Sequence, residues 1–226
     1  MDLFSNGAIT LSFDDGWKCI YDNAFPIIKK NKILATFYVI SGYLDDEQFP
    51  RYMNIEDIRD LEKHGHEIGC HTVSHKHLSQ ENKNIIKEEI ISSLDYLKNE
   101  GFSVSTFSYP YGEFNDEILE IVKNAGFIGA RSVERGFNDL ETNPFLLKCQ
   151  AVKTSTKPEQ VKEWIDFAKA RNKWLILMLH QIDHDGREWS TTSEILTEIV
   201  DCIKNSNINS ITLKEGLKIL NDAATI

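Results

Sequence analysis

The sequence predicts an α/β fold, a barrel of parallel strands with intervening helices. Short apolar runs alternate along the chain with amphipathic stretches of helical length, as in repeated strand and helix units. Five of these runs end directly at a reactive side chain or a sharp turn. Because the carboxyl ends of barrel strands meet at one rim, this repetition predicts one composite site. The five junctions are Phe13 to Asp14, Cys70 to His71, Tyr109 to Pro110, Ala130 to Arg131, and Leu179 to His180.

Local signals define the individual elements. After the first strand, a helix is predicted over 21–31, with Pro26 tolerated only near its first turn or at a kink. Asn54 is a plausible cap for the next helix, and Gly65 a stop. The other predicted helices are 81–99, 115–124, 158–171 and 192–205, and the other strands are 35–40, 148–152, 174–179 and 210–213.

Length, charge and hydropathy limit the class of protein. With 226 residues and 41% hydrophobic content, the chain is long enough for one barrel core but shorter than a typical eight-unit barrel, so residues 1–226 are expected to form one domain. No run approaches the ~20 apolar residues that cross a membrane, and residues 1–5 lack a signal core. We expect a cytoplasmic protein, or a secreted one whose signal segment has been removed. A net charge of -10 disfavours nucleic acid as a partner, and the oligomeric state is left open.

The four cysteines are scattered and form no CxxC pair. This spacing argues against a disulfide framework and against a structural zinc knuckle. Cys70 precedes His71, but side chains alternate along a strand, so its thiol is expected to point away from any site at His71. Free thiols are consistent with a reducing compartment.

Asp15, His71 and His75 form a candidate metal-binding set. Two histidines four residues apart lie on one face of a helical turn. One carboxylate and two imidazoles suit zinc and leave a coordination position open for water, whereas a closed structural site takes a fourth protein ligand. The alternative for the His-Thr-Val-Ser-His stretch alone is polar surface.

Five motifs occur in order between the first strand and His180: Ser-Phe-Asp-Asp-Gly at 12–16, Gly-His-Glu-Ile-Gly at 65–69, His-Thr-Val-Ser-His at 71–75, Phe-Ser-Tyr-Pro-Tyr-Gly at 107–112 and Leu-Met-Leu-His at 177–180. Their order and spacing resemble those of the polysaccharide deacetylase family of carbohydrate esterases, which includes chitin and peptidoglycan deacetylases. The resemblance implies a distorted barrel, here with about seven strand-helix units.

The resemblance also implies roles for individual residues. Asp14 is the general base, and Asp15, His71 and His75 hold one divalent metal, with zinc favoured and cobalt or nickel open. Such a metal lowers the pKa of its water to ~7 and polarises an amide oxygen. Since Pro110 lacks a backbone N–H, Tyr111 becomes the oxyanion donor. His180 would protonate the leaving amine, and Leu179 and Leu177 would line a small acetyl pocket; for Leu177, ordinary barrel core is an equal alternative. Pro110 is a further candidate for substrate binding.

Two departures from the family pattern concern charge. The third motif commonly carries an arginine that orients the base, and Ser108 stands in its place. Arg131 closes the next apolar strand and could supply a guanidinium to Asp14; the alternative is a plain surface arginine. The family's acidic partner of the acid histidine is not identified, the candidates being Glu134, Asp139, Asp183 and Asp185.

Two segments, 136–144 and 183–191, are expected to be surface loops near the rim. Trp189 could stack on a sugar ring or pack its loop onto the barrel, and Tyr43, Phe49 and Tyr52 could line the same groove. Three functions remain: removal of N-acetyl groups from a glycan, hydrolysis of another C–N bond or of an O-acetyl ester, and glycan binding without catalysis. Chitin, peptidoglycan, exopolysaccharide and a nucleotide sugar are not separated.

Overall fold

The structure, a computed structural model, describes residues 4–224 and has a closed ring of parallel strands at its centre. Each of the first six strands pairs with the next in chain order, and the first strand pairs with the seventh as well as with the second, which closes the ring. The predicted distorted barrel of about seven units is therefore confirmed. The strands are β1 Ala8–Phe13, β2 Ala35–Val39, β3 Glu67–Cys70, β4 Thr106–Ser108, β5 Gly129–Arg135, β6 Leu147–Ala151, β7 Trp174–Leu179 and β8 Asn209–Ser210.

Helices surround the ring where the amphipathic pattern predicts them. Asn54 caps α2 by accepting from the backbone N–H of Asp57, whose carboxylate accepts from Asn54 in return. The predicted helix 81–99 is present as two α-helices, Lys83–Lys87 and Ser93–Asn99, joined by a π-helical turn at Glu88–Ser92. The helices are α1 Phe25–Asn31, α2 Ile55–Lys63, α3 Lys83–Lys87, α4 Ser93–Asn99, α5 Asp116–Asn124, α6 Pro158–Ala170, α7 Ser193–Ser206 and α8 Leu213–Ala224. Among the described helices, none is both long and apolar enough to cross a bilayer.

The end of the chain differs from the prediction. The expected strand 210–213 is reduced to the two residues of β8, and the chain then enters α8. The reason is a reciprocal cap: Glu215 Oε2 accepts from the Thr212 N–H at 2.8 Å, and Thr212 Oγ1 accepts from the Glu215 N–H at 3.2 Å. Leu213 and Leu217 then pack beside Trp174 at the amino end of the barrel.

Strand alternation separates an outer layer from the barrel interior. On β7, Leu175, Leu177 and Leu179 belong to the cluster that includes the surrounding helices, whereas Trp174, Ile176 and Met178 face inward. Much of the interior is polar. The buried polar residues include Thr10, Ser12, Thr36, Glu67, Ser108 and Arg131. A charged side chain inside the barrel needs a partner there.

The 136–144 segment is misplaced by the sequence prediction. It does not lie near the rim: Asn138 exchanges two backbone hydrogen bonds of 2.9 Å with Trp174, the first residue of β7. The described structure has no helix between β5 and β6, so this loop itself returns the chain to the amino end of the barrel. The 183–191 loop does lie at the carboxyl rim, where Arg187 and Trp189 line a pocket.

Candidate metal centre and active site

The carboxyl ends of the strands surround a pocket of about 450 Å³. Side chains that follow β1, β3, β4 and β7 meet there, together with the 183–191 loop. The lining residues are Asp14, Asp15, His71, His75, Tyr109, Tyr111, Val133, Met178, His180, Gln181, Arg187 and Trp189. Five of these residues were not predicted from the sequence to belong to the site: Tyr109, Val133, Met178, Gln181 and Arg187.

Asp15, His71 and His75 converge at the base of the pocket. Asp15 Oδ1 lies 3.4 Å from His71 Nε2 and 3.5 Å from His75 Nε2, and the two nitrogens are 3.1 Å apart. This carboxylate oxygen is buried and has no hydrogen-bond partner among the described residues. A buried oxygen and two ring nitrogens that face one point are what a shared cation requires.

The electrostatic state of the three groups also fits a metal. His71 Nδ1 lies 2.8 Å from the Ser108 carbonyl oxygen, so it carries the proton and leaves the Nε2 lone pair free. Burial lowers the pKa of His75 to about 4. Burial acts to raise the pKa of Asp15, but the close approach of His71, with His180 and His75 nearby, outweighs it and holds the pKa well below its usual range. One carboxylate and two imidazole nitrogens are therefore available as ligands for a divalent metal.

The two histidines do not share a helical turn, which corrects the sequence prediction. His71 directly follows β3, and His75 lies in an irregular loop. The loop brings the rings together through left-handed backbone at Thr72 (φ 67°) and His75 (φ 56°). Thr72 Oγ1 accepts from the His75 N–H at 3.0 Å. Such conformations are uncommon outside glycine and persist where the surroundings enforce them.

Arg131 contacts Asp14 inside the barrel, as strand order suggested. Its Nη2 donates to Asp14 Oδ2 and also to Ser108 Oγ, at 2.7 Å in the latter case. Ser108 and Arg131 are register partners on β4 and β5 and so share the inner face. Burial acts to lower the pKa of Arg131, but the Asp14 carboxylate raises it above its usual value, so the guanidinium stays charged. Ser108, at the position where the resemblance predicts an arginine, is thus a hydrogen-bond partner of Arg131.

His180 also lies near Asp14. Its Nε2 is 4.0 Å from Asp14 Oδ2, and a 2.9 Å hydrogen bond from the Asp14 N–H to the Leu179 carbonyl fixes the two strand ends together. His180 Nδ1 is buried and has no hydrogen-bond partner in the described part of the chain. Two of the acidic candidates are engaged elsewhere, Asp139 with Lys173 and Asp185 with Arg187.

The Pro110–Gly112 turn places Tyr111 beside the metal-binding set. Tyr111 has a φ of 57°, and its ring lies 4.5 Å from that of His75 and stacks at 3.7 Å on that of His77, centroid to centroid. A side chain at Gly112 would come within 2.2 Å of Val133, so this turn requires glycine. His77 Nδ1 in turn lies 2.9 Å from Glu113 Oε1.

Comparison with known proteins agrees with this geometry. Residues 4–130 match the family model described as polysaccharide deacetylase. The chain belongs to the polysaccharide deacetylase family. A poly-beta-1,6-N-acetyl-D-glucosamine N-deacetylase of Staphylococcus aureus (strain MRSA252) is 31% identical over 176 residues, which cover 73% of this chain and 61% of that protein. A putative polysaccharide deacetylase of Bacillus subtilis (strain 168), YxkH, is 26% identical over 133 residues, covering 58% and 47% of the two chains.

Solved structures share the fold. The Xyl-CE4 domain of a multidomain xylanase from the hindgut metagenome of Trinervitermes trinervoides superposes with a TM-score of 0.67 at 18% identity, covering 97% of this chain and 92% of that one. The Streptococcus pyogenes deacetylase PplD in complex with acetate gives 0.64 at 24% identity, covering 67% of each chain. The family-model match ends at residue 130, one residue before Arg131.

In this polysaccharide deacetylase family member, the lining of the pocket differs from the prediction at two leucines. Leu177 and Leu179 are fully buried in the outer layer and do not line the pocket; Met178 does. Alternation counted back from His180 would have identified Met178, because residues two apart on a strand share a face. Pro110 is buried in the turn and is likewise not among the lining residues.

Trp189 lies at the mouth of the pocket. It is 38% exposed, and its ring centroid is 5.3 Å from that of His180, with Lys153 Nζ 4.0 Å from the Trp189 ring centroid. Both earlier interpretations, sugar stacking and loop packing, are compatible with this position. The sequence predicted that Tyr43, Phe49 and Tyr52 could line the same groove as Trp189. In the structure they line a separate groove.

Proposed function

We propose that this protein is a metal-dependent hydrolase that removes N-acetyl groups from amino sugars of an oligosaccharide or polysaccharide. One observation carries the proposal: a carboxylate, Asp14, is fixed by a buried guanidinium next to the convergent Asp15, His71 and His75 set, and His180 Nε2 lies 4.0 Å from its Oδ2. Pure glycan binding needs neither a supported base nor an acid. The names of the relatives support the choice of an N-acetylated glycan.

Asp15, His71 and His75 would hold the metal, and their ligand types favour zinc. When bound, a divalent metal lowers the pKa of a water molecule and polarises the acetyl carbonyl. A set of only three protein ligands would leave room for a water molecule and for the acetyl carbonyl oxygen. Cobalt or nickel would suit the same nitrogen and oxygen ligands.

The chain's own residues would carry the protons and the charge. Asp14 accepts the proton of the attacking water while the new C–O bond forms at the acetyl carbon. The backbone N–H of Tyr111 donates to the oxyanion that develops on the former carbonyl oxygen. His180 then gives a proton to the sugar nitrogen as the C–N bond breaks, so that acetate and a free amino sugar leave.

The decisive experiment measures acetate and free amine together. Metal-free protein is reloaded with Zn²⁺, Co²⁺ or Ni²⁺ and incubated with β-1,6- and β-1,4-linked N-acetylglucosamine oligomers, peptidoglycan fragments and O-acetylated xylan oligomers. We expect equimolar acetate and amine from at least one N-acetylated oligomer, and neither product from His75→Ala protein, which should also lose stoichiometric metal. Acetate without amine, from xylan alone, would show an O-acetyl esterase instead, and glycan binding without product would show a binding protein.

A further inference from the structure

The Asp15 carboxylate has two oxygens in different surroundings. Oδ1 faces the two histidine nitrogens and has no hydrogen-bond partner among the described residues. Oδ2 accepts a hydrogen bond of 2.9 Å from the indole Nε1 of Trp17. The indole thus occupies one oxygen and leaves the other to face the metal-binding point. No motif of the sequence analysis includes Trp17.

Trp17 is held in place from two directions. The backbone on either side of it pairs with a neighbouring segment: the Lys18 N–H donates to the Arg51 carbonyl at 2.7 Å, and the Met53 N–H donates to the Gly16 carbonyl at 2.8 Å. Its ring stacks on Tyr52 with centroids 4.4 Å apart and planes at 24°. An indole that is fixed in this way presents its N–H in one direction, at little further cost in side-chain entropy.

The alternative role for an aromatic ring beside this pocket is stacking on a sugar. That role needs a free face. Tyr52 covers one face of Trp17, and the guanidinium carbons of Arg51 and Arg187 lie 5.5 and 5.9 Å from its ring centroid. Trp17 also does not line the pocket, in contrast to Trp189. Its surroundings therefore favour the hydrogen bond to Asp15 over contact with a glycan.

We propose that Trp17 is a positioning residue for the metal ligand Asp15. By donating to Oδ2, it fixes the rotation of the carboxylate and keeps Oδ1 directed at the histidines. The inference rests on the proposed metal site and adds to it a residue outside the ligand set. Groups that orient metal ligands typically change metal affinity by 10- to 100-fold when they are removed.

The test is a metal titration that does not depend on turnover. Metal-free wild-type protein, Trp17→Phe and the control Trp164→Phe, which removes a partly buried tryptophan on α6, are titrated with Zn²⁺ in competition with a chromogenic chelator. Phenylalanine keeps the stack on Tyr52 but has no N–H. We expect Trp17→Phe to bind Zn²⁺ about 10- to 100-fold more weakly and Trp164→Phe to match the wild type. Equal affinity of Trp17→Phe and wild type would overturn the inference, whereas a wild type that binds no Zn²⁺ would overturn the proposed metal site.

A second measurement covers the case in which Trp17→Phe does not fold. In ¹⁵N-labelled wild-type protein, the Trp17 indole N–H should exchange slowly with solvent, because it is engaged with Asp15, and its resonance should shift when Zn²⁺ is added. Fast exchange of that proton in both the metal-free and the Zn²⁺-loaded protein would refute the hydrogen bond and with it the proposal.

Discussion

Arg131 and Asp14 form a buried ion pair across 117 residues of sequence. The arginine is fully buried and reaches one carboxylate oxygen, Oδ2, through Nη2 alone. Its Nη1 donates to the Ser132 carbonyl and to Met178 Sδ, each at 3.0 Å. The parallel pair of hydrogen bonds that a guanidinium can make to a carboxylate is therefore not used here. The arginine instead links the base to β4, β5 and β7.

We predict that Arg131→Lys reduces kcat about 10²-fold while metal content persists, because an ammonium group cannot bind Asp14, Ser108 and Met178 from one planar position. Arg135→Lys is the matched control, since Arg135 lies on the same strand and its side chain contacts only Gln150 among the hydrogen bonds described. The measurements are turnover, bound metal and circular dichroism. An Arg131→Lys protein with wild-type kcat would show that Asp14 does not depend on the guanidinium.

The two adjacent aspartates should separate base from ligand. Asp14→Asn should retain metal and lose about 10²- to 10⁴-fold in turnover, because an amide of the same shape cannot accept the proton of the water. Asp15→Asn should weaken metal binding itself, since its Oδ1 faces both histidines. Metal content and kcat of both variants decide the matter. The opposite pattern would exchange the two assignments.

Leu177 and Met178 test the corrected pocket. Leu177→Ala should lower the free energy of unfolding by about 2–5 kcal/mol through a cavity in the outer layer, with KM unchanged. Met178→Ala should lower kcat/KM, because Met178 lines the pocket and contacts Arg131. Denaturant unfolding and steady-state kinetics are compared. A raised KM in Leu177→Ala, with Met178→Ala unaffected, would restore the acetyl-pocket assignment of Leu177.

His66 should make the fold sensitive to acid. Burial between Phe25 and Phe37 lowers the pKa of its imidazole from 6.5 to about 4. The unfolded chain therefore takes up a proton first, so the stabilisation is complete above pH 6.5 and is lost as pH falls toward 4 and below. At pH 5 the loss relative to pH 7 amounts to about 2 kcal/mol. The free energy of unfolding of wild-type and His66→Leu protein is measured at pH 7 and pH 5, and the decrease in His66→Leu should be smaller by that amount. An identical decrease in both proteins would show that His66 is not the source of the acid sensitivity.

The sequence predicted the strand ends and the site residues that follow them, because period-2 apolar runs and reactive side chains are local features. Asp14, Asp15, His71, His75 and His180 lie in one pocket for this reason. Arg131 followed from strand order alone, since neighbouring parallel strands place register partners on one face.

What the sequence did not predict depends on contacts between distant segments or on a conformation that has no periodic pattern. The backbone around Trp17, which donates to Asp15, pairs with residues 51–53, a contact that no local pattern predicts. No sequence pattern around His75 predicts its left-handed backbone conformation. Helix α8 could have been predicted from the sequence. Thr212 and Glu215 have the spacing of a capping box, and the apolar residues Leu213, Leu217 and Leu220 recur at helical intervals. Gly216 within this stretch weakens the helical signal.

The strand pair that closes the barrel also carries the proposed base and the proposed acid. Asp14 follows β1 and His180 follows β7, and these strands are far apart in the sequence yet pair along six residues each. Contacts between segments so far apart form late, because the entropy of closing a long loop must be overcome first. During refolding, the metal ligands on the β1–β3 side can assemble before the acid arrives. Recovery of Zn²⁺ binding should therefore precede recovery of acetate release, and the interval between the two would time the closure of the ring.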